Sequence, residues 1–498
     1  MEHAEERIRL FNVRYVPLFA AFLILGIFCV KVSIVIAAIL WGVAILCALT
    51  LLFTKHIKWG AALALVAFLF VGYGIASLEL HLRNDVGLEG LCEVSCRVTE
   101  ITEEEDAYLV TADRVSANGR SYSGGISFRT DVELHVGDRV AIYGEIGIDK
   151  LSLESFMSAL NYRKGSKYTS SYPEIRRVKS GAAPLAERIK KGAKDILVKA
   201  QGDRYGGFTY ATIFGDSTEM LREDKQAMQA VGVAHVFAIS GLHVSVLAGV
   251  LLFLLRKLKI KDGVAILILL PIFGFYAYLV GFSPSVLRAS IMVLTALAAS
   301  HFGERYDDFS ALGFAAILLL LTRPLLLFDL SFVMSFLSIF GIHSLVGPLK
   351  ATFVRHKVKE RLASALALSI ASTLALLPVS AVVFGRISLV GFLLNIVVVP
   401  LASISYVLCL VGLIFSAILP SFGAVLTAVA YLPRLIIALS TATASLQLSA
   451  KYEFSAAEIL VYYATLAFVG KYSLAAKKVK LVAGGIGAGV LAILIFAI

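Results

Sequence analysis

The sequence predicts an α-helical polytopic membrane protein with one small β-rich domain inserted between two groups of spans. Three observations predict it. Hydrophobic residues make up 58% of the chain and charged residues 16%, against roughly 25% charged in soluble domains. The mean hydropathy of +0.84 excludes both a soluble enzyme and a disordered chain. Between the apolar runs lies one stretch, about 82–180, that is polar and alternates with period two.

Taken in order, residues 1–81 hold three apolar runs, at roughly 15–30, 32–53 and 59–80, separated by Lys31 and by Lys55-His56-Ile57-Lys58. Each is near the ~20 residues that cross a bilayer, the first with Lys31 snorkelling. No cleavable leader is expected, because the chain opens on Glu2, Glu5, Glu6 and Arg7 and the first run feeds directly into a second. Within 82–180, alternating runs fall at Cys92–Thr99, Ala107–Val115, Tyr122–Thr130 and Arg139–Glu145. Asn118-Gly119, Gly124-Gly125 and Gly137-Asp138 punctuate them. Such spacing predicts a small antiparallel barrel or sandwich.

Residues 181–206 predict a basic amphipathic linker helix. Leu185, Ile189, Ala193, Ile196 and Ala200 share one face, and Arg188, Lys190, Lys191, Lys194 and Lys199 cover the rest. A helix of this kind lies among lipid headgroups or packs on the β domain. Residues 207–498 predict about ten spans, near 235–255, 263–281, 285–301, 309–322, 325–347, 361–383, 387–419, 422–447, 455–473 and 480–498. The run 387–419 is too long for one straight crossing and contains Pro400, so a broken helix with one net crossing is expected.

Basic clusters orient the spans by the positive-inside rule. Arg256, Lys257, Lys259 and Lys261 form one cluster, Lys350, Arg355, Lys357, Lys359 and Arg361 a second, and Lys477, Lys478 and Lys480 a third. Placing all three inside puts Lys55 and Lys58 inside too, and the β domain and C-terminus outside. Cys92 and Cys96 are spaced C-x3-C with no second pair, so no zinc ribbon is expected; a disulfide between them stays open.

Enzymatic chemistry finds no motif. The only Gly-Lys pair, Gly470-Lys471, is followed by Tyr472, so no P-loop is present. The nine histidines include no H-x-H and no H-E-x-x-H, and G-x-S-x-G is absent as well. No catalytic residue, metal site or cofactor is therefore expected.

Polar residues at membrane depth carry the positive signal. A charged group at a helix centre costs at least ~2.5–3.5 kcal/mol, so it faces a cavity or a partner. Ser240 and His243 share a face around Gly241, with His235 two turns earlier; they are core hydrogen-bonding groups or part of a polar path. Arg288 sits one turn inside a helix starting near Pro284, as an interface anchor or facing such a path, with Asp329 as a candidate countercharge. Ser331, Ser335 and Ser338 form an i, i+4, i+7 stripe that mediates helix packing or lines a wet route. Asn395 precedes Pro400 in the broken run, and interrupted membrane helices belong beside protein or a water-filled cavity.

Charge is unevenly spread. Residues 91–160 carry six Lys/Arg against thirteen Asp/Glu, whereas 161–199 carry eleven against three. In the basic part Tyr162, Tyr168 and Tyr172 interleave with Arg163, Lys164, Lys167, Arg176 and Arg177. Base-stacking rings beside phosphate-neutralising cations suit single-strand binding; the same cations suit anionic lipid headgroups.

Several ordered motifs together resemble the ComEC-type competence protein family. They are Ile213-Phe214-Gly215-Asp216-Ser217, then Gly232…His235…Ile239-Ser240-Gly241-Leu242-His243-Val244, then Ser285…Arg288-Ala289…Met292. Pro324…Asp329-Leu330-Ser331-Phe332…Ser335-Phe336 and Phe384…Asn395…Pro400 complete the set, which covers about 205–415. Leu134-His135-Val136-Gly137-Asp138-Arg139-Val140…Gly144, with Phe156…Leu160…Gly165, is similar to the family's extracytoplasmic OB-like domain. The resemblance implies an α-helical polytopic protein of the bacterial cytoplasmic membrane with an inserted extracytoplasmic small β-barrel, and uptake of single-stranded DNA in natural transformation.

It adds Gly215 and Asp216 to the path residues His235, Ser240, Gly241, His243, Arg288, Asp329, Ser331, Ser335, Asn395 and Pro400. The DNA-binding candidates are Tyr162, Arg163, Lys164, Lys167, Tyr168, Arg176 and Arg177. The implied partners are single-stranded DNA, the lipid bilayer, an ATP-driven motor and a DNA receptor. Many members carry a metallo-β-lactamase-like domain after the membrane region; none is expected here, which implies either a separate nuclease among the partners or a truncated or repurposed member. A secondary transporter for a smaller solute, or a non-conducting scaffold of the uptake machinery, is the alternative.

Overall fold

Two glycines set the first helix crossing. Helices α1 (Tyr15–Phe28), α2 (Ile34–Phe53) and α3 (Trp59–Asn84) open the chain. A Cβ on Gly26 would come 2.0 Å from the Leu69 carbonyl oxygen, and one on Gly72 2.4 Å from that of Leu23. Bare glycine faces let α1 and α3 touch backbone to backbone, as small residues do in lipid. The computed structural model describes residues 15–470 except 33, 54–56, 85–87, 104–106, 123, 149–165, 182, 238–240, 386, 389, 420, 422, 447–448, 451 and 453.

Strands β1 (Gly90–Glu103), β2 (Tyr108–Ala117), β3 (Arg120–Ser121), β4 (Gly125–Thr130), β5 (Arg139–Ile148), β6 (Ser166–Ser170) and β7 (Glu174–Lys179) follow. Five of them close a ring in the order β1–β2–β4–β6–β5 and back to β1. Pairing of β4 with β6 is parallel and the other ring pairings are antiparallel. The domain is therefore a closed barrel, not a sandwich. Alternation does the sorting: Val94, Cys96 and Val98 of β1 point inward with Ile126, Phe128, Val140, Ile142 and Tyr168, while the intervening residues face out. β7 continues past β6 along the first half of β5. The four predicted runs correspond to β1, β2, β4 and β5; β6 and β7 escaped notice because their sequence is polar and β7 is largely exposed.

After the barrel come α4 (Leu185–Gln201), α5 (Asp203–Phe214), α6 (Arg222–Ala230), a 3-10 turn at Ala234–Val236, α7 (Gly241–Lys257), α8 (Asp262–Leu279), α9 (Pro284–His301) and α10 (Asp308–Thr322). A second 3-10 turn at Pro324–Phe328 leads to α11 (Leu330–Arg355), α12 (Glu360–Phe384), α13 (Gly391–Ile418), α14 (Gly423–Val429), α15 (Tyr431–Ala444) and α16 (Ala456–Val469). Two-residue strands β8 (Ile387–Ser388) and β9 (Ser449–Ala450) pair across these last helices. Among the described residues seven stretches are long and apolar enough to cross a membrane, and Tyr15–Phe28, Asp308–Thr322 and Ala457–Val469 are shorter apolar helices. The protein is a polytopic helical membrane protein with one small barrel.

Three expectations need correction. The run 387–419 is not broken: α13 is continuous through Pro400. Proline removes a single backbone hydrogen bond, which neighbouring groups in a membrane bundle can replace. Its 28 residues extend ~42 Å at ~1.5 Å per residue, beyond the ~30 Å hydrocarbon layer. The break falls instead at Ala430, which divides 422–447 into α14 and α15. The linker helix α4 neither floats at the surface nor rests on the barrel; it packs on α5, α8, α13 and α14 through Ala186, Ala193 and Leu197. The buried Gln201 at its end donates to the Leu426 carbonyl (3.1 Å) and accepts from Thr209 Oγ1 (2.7 Å). The last expected span, 480–498, lies outside the described residues.

Candidate functional site

Five helices close a circuit. α7 packs on α9 and on α13, α9 on α11, α11 on α12, and α12 on α13. Among the described residues, members that are not neighbours in this circuit do not pack closely across it. Close approach of α11 and α12 follows from composition: Ala363, Ala367, Ala371 and Ala375 form a fully buried stripe, and a Cβ on Gly341 would come 2.3 Å from that of Ala375. Ser369 Oγ donates to the Phe392 carbonyl, tying α12 to α13.

Seven of the twelve path residues, Gly241, His243, Arg288, Ser331, Ser335, Asn395 and Pro400, lie on these helices. Pro284 starts α9 at a position where its missing N–H costs nothing, and Arg288 follows one turn later. Arg288 is 4% exposed, so it does not snorkel. Its Nη1 donates to the Ser335 carbonyl at 3.1 Å, and its guanidinium lies against Gly241, so it bridges α9 to α11 and α7. Asp329 is not its countercharge. That carboxylate caps α11, accepting from the Ser331 and Phe332 amides at 2.8 and 3.2 Å. Capping is the ordinary work of Asp at a helix start.

His243 is 2% exposed, its ring 4.7 Å from that of Tyr406. Tyr406 hydroxyl donates to that of Tyr276 (3.1 Å), which donates to the Ile213 carbonyl (2.8 Å). A polar chain thus runs from α7 and α13 to the end of α5. There Gly215 adopts φ +73 as the left-handed cap, its N–H bonded to Ala211, and Asp216 Oδ1 accepts from the Thr218 amide and hydroxyl at 3.1 and 2.7 Å. Both residues shape a turn. His235 occupies the 3-10 turn before α7; Pro400 is exposed and Ser331 partly buried; Ser240 lies outside the described residues. Arg288 Nε, Ser290 Oγ, Ser335 Oγ, Ser344 Oγ and Asn395 Oδ1 are buried with no hydrogen-bond partner.

Sequence reasoning missed Ser388 and Gly391. Ser388 Oγ donates to the Val231 carbonyl (3.0 Å) and accepts from the Gly391 amide (2.9 Å), and a Cβ on Gly391 would come 2.7 Å from the Val231 oxygen. The start of α13 is thereby latched to the Val231-Gly232 segment. The Ser-x-x-Gly spacing before the apolar run was the available signal.

On the barrel, the DNA-binding candidates divide. Tyr168 is 1% exposed in the barrel core, so it offers no face to a base. Lys167 is also buried, and its Nζ donates to the Leu82 carbonyl at 3.0 Å, anchoring the barrel on α3. Arg176 pairs with Glu93 (3.1 Å) and Glu174 (3.6 Å) and stacks 3.7 Å over Tyr143. Arg177 is exposed. Tyr162, Arg163 and Lys164 lie outside the described residues. Cys92 and Cys96 are both free thiols; four residues apart on one extended strand they stand ~14 Å apart, too far for a disulfide. Burial first, and the Asp113 charge second, push the Cys96 thiol up to about 12. Among the described residues no three His, Cys, Asp or Glu converge as metal ligands.

Residues 212–475, which contain the whole circuit, match the family described as "Competence protein". The chain is 31% identical over 222 residues to ComE operon protein 3 of Bacillus subtilis (strain 168), covering 44% of this chain and 27% of that protein. It is 27% identical over 207 residues to an uncharacterized protein of Aquifex aeolicus (strain VF5), covering 41% and 45%. It is 28% identical over 200 residues to the uncharacterized protein YcaI of Escherichia coli (strain K12), covering 38% and 26%. The matched part thus spans less than half the length of each of these relatives. No solved structure matches. With the helical circuit, its motif residues and more than half of the sequence inside one family match, the chain belongs to the competence protein family.

Proposed function

We propose that this chain is a channel component that carries single-stranded DNA across the cytoplasmic membrane during natural transformation. The observation that carries the reading is the five-helix circuit and its unpartnered buried atoms: Arg288 Nε, Ser335 Oγ and Asn395 Oδ1. Each such atom costs about 1–3 kcal/mol unless water or a polar ligand meets it. These three, on α9, α11 and α13, favour a route that is wet when open. The positive-inside argument places the barrel outside, where it meets the incoming strand. Counted in chain order, its ring strands run 1-2-3-5-4 with strands 3 and 5 parallel, which we read as OB-like. In this reading the chain is a conduit and not an enzyme. An ATP-driven motor, a DNA receptor and a separate nuclease supply force, capture and strand removal.

The competing reading is a non-conducting scaffold, favoured by the burial of His243 and Arg288 against neighbouring helices. A closed conformation of a conduit accounts for the same contacts, with α7 and α9 moving apart on opening. The test is transformation of a deletion strain of a transformable host complemented with this chain, alone and with a separate nuclease. Restored DNA uptake supports the conduit. A membrane-inserted chain that restores none under either condition contradicts it.

A further inference from the structure

One row of the barrel puts three cations side by side. Arg97 on β1 is paired across with Arg139 on β5, and Arg139 with Lys179 on β7. Like charges directly opposite on neighbouring strands repel. Only Arg97 has a carboxylate, Asp113, held by two bonds of 3.1 Å; among the described residues Arg139 and Lys179 have none within 4 Å. Two residues back along β7, Arg177 adds a fourth cation opposite Ala141. Around this row lies a cavity of about 270 Å³, lined by Arg97, Gly137, Arg139, Lys179, Ser180 and Gly181. Its floor is backbone: a Cβ on Gly181 would come 2.1 Å from the Gly137 oxygen, so only glycine permits the approach.

We propose that this face of β1, β5 and β7 seats the phosphodiester backbone of a single nucleic-acid strand. The inference rests on the uptake reading above and deepens it by naming where the strand is held. The row spans two strand spacings, ~10 Å, and Arg177 lies ~7 Å along β7 from Lys179, room for consecutive phosphates. Small Ser95 and Ala141 lie between the row and the next, where Tyr143 carries the flat Arg176 guanidinium. Cations with a planar platform beside them are what a single strand needs.

The test uses the full chain in phosphatidylcholine nanodiscs with a fluorescent oligo-dT strand, followed by anisotropy across a salt series. Arg139→Gln/Lys179→Gln should weaken binding about tenfold and flatten the salt slope by about 1.4, two phosphate contacts at ~0.7 each. Arg139→Lys/Lys179→Arg, which keeps the charges, should bind as wild type, and so should Arg120→Gln, an exposed barrel cation outside the row. If wild type binds and the double glutamine variant matches it in affinity and slope, the seat is wrong and the uptake reading stands. If wild type itself fails to bind at low salt, the uptake reading fails with it. If the double variant binds the strand normally but its discs no longer float with phosphatidylglycerol vesicles, the face holds lipid headgroups and the proposal is overturned.

Discussion

The Arg288 guanidinium occupies the space that a side chain on Gly241 would fill: a Cβ there would come 1.6 Å from Nη2 and 2.9 Å from Cζ. Glycine at 241 is therefore what lets a buried arginine lie between α7, α9 and α11. Gly241→Ala should force Arg288 or α7 aside and destabilise the protein by about 1–3 kcal/mol, the usual cost of overpacking. Gly249, in the same helix, has nothing within 4 Å of its ideal Cβ, so Gly249→Ala should be neutral or gain up to ~1 kcal/mol from helix propensity. Thermal unfolding in detergent compares the two; equal behaviour would show that the contact is not what glycine is there for.

Tyr276 is the middle of the hydroxyl chain from Tyr406 to the Ile213 carbonyl. Tyr276→Phe leaves two buried groups short of a partner and should cost about 1–3 kcal/mol. Tyr406→Phe removes only the terminal donor and should cost about 0.5–1.5 kcal/mol. The double variant should be less damaging than the sum of the two. Additive losses in a thermal-denaturation cycle would show that the hydroxyls are not coupled.

Cys96 tests the barrel core. With its thiol pushed up to about 12, it should react with maleimide at pH 8 on the order of a thousandfold slower than an ordinary exposed thiol. Because the folded value is raised, the stability contributed is intact below pH 9.0, the usual value, and is lost as pH climbs towards about 12. Labelling of Cys96 at the rate of a small free thiol in solution would contradict the inward register of β1.

Arg204 grips Asp224 with two bonds of 2.8 and 2.6 Å, and Asp224 is only 2% exposed. Arg204→Ala should strand a buried carboxylate and cost about 3 kcal/mol. Arg204→Ala with Asp224→Asn should recover most of that loss. A double variant as unstable as the single, by chemical denaturation, would mean that the arginine acts through packing on Tyr205.

The lipid-embedded fold was legible because apolar runs and turn punctuation are local signals; the barrel strands β1, β2, β4 and β5 followed from alternation alone. What misled was everything decided by a distant partner. Tyr168 and Lys167 read as a basic aromatic rim, yet strand register turned the tyrosine into the core and the Leu82 carbonyl captured the lysine. Asp329 beside Arg288 looked like a charge pair, but the free amides of α11 were nearer. Pro400 looked like a break, and a membrane helix absorbed it. Gly241 stood out in its motif, while the group that lies against it, Arg288, could come only from the packing of α9 on α7.

The central claim is that the circuit of α7, α9, α11, α12 and α13 conducts the strand. Its most direct test is a photo-crosslinking residue placed at Ser335 or Asn395 in cells taking up radiolabelled DNA, with Leu254 and Leu267, both exposed on the outside of the bundle, as comparison positions. The account predicts labelled single-strand adducts at 335 and 395 and none at 254 and 267. Adducts absent from both circuit positions while uptake proceeds, or equally strong at the outer leucines, would contradict it.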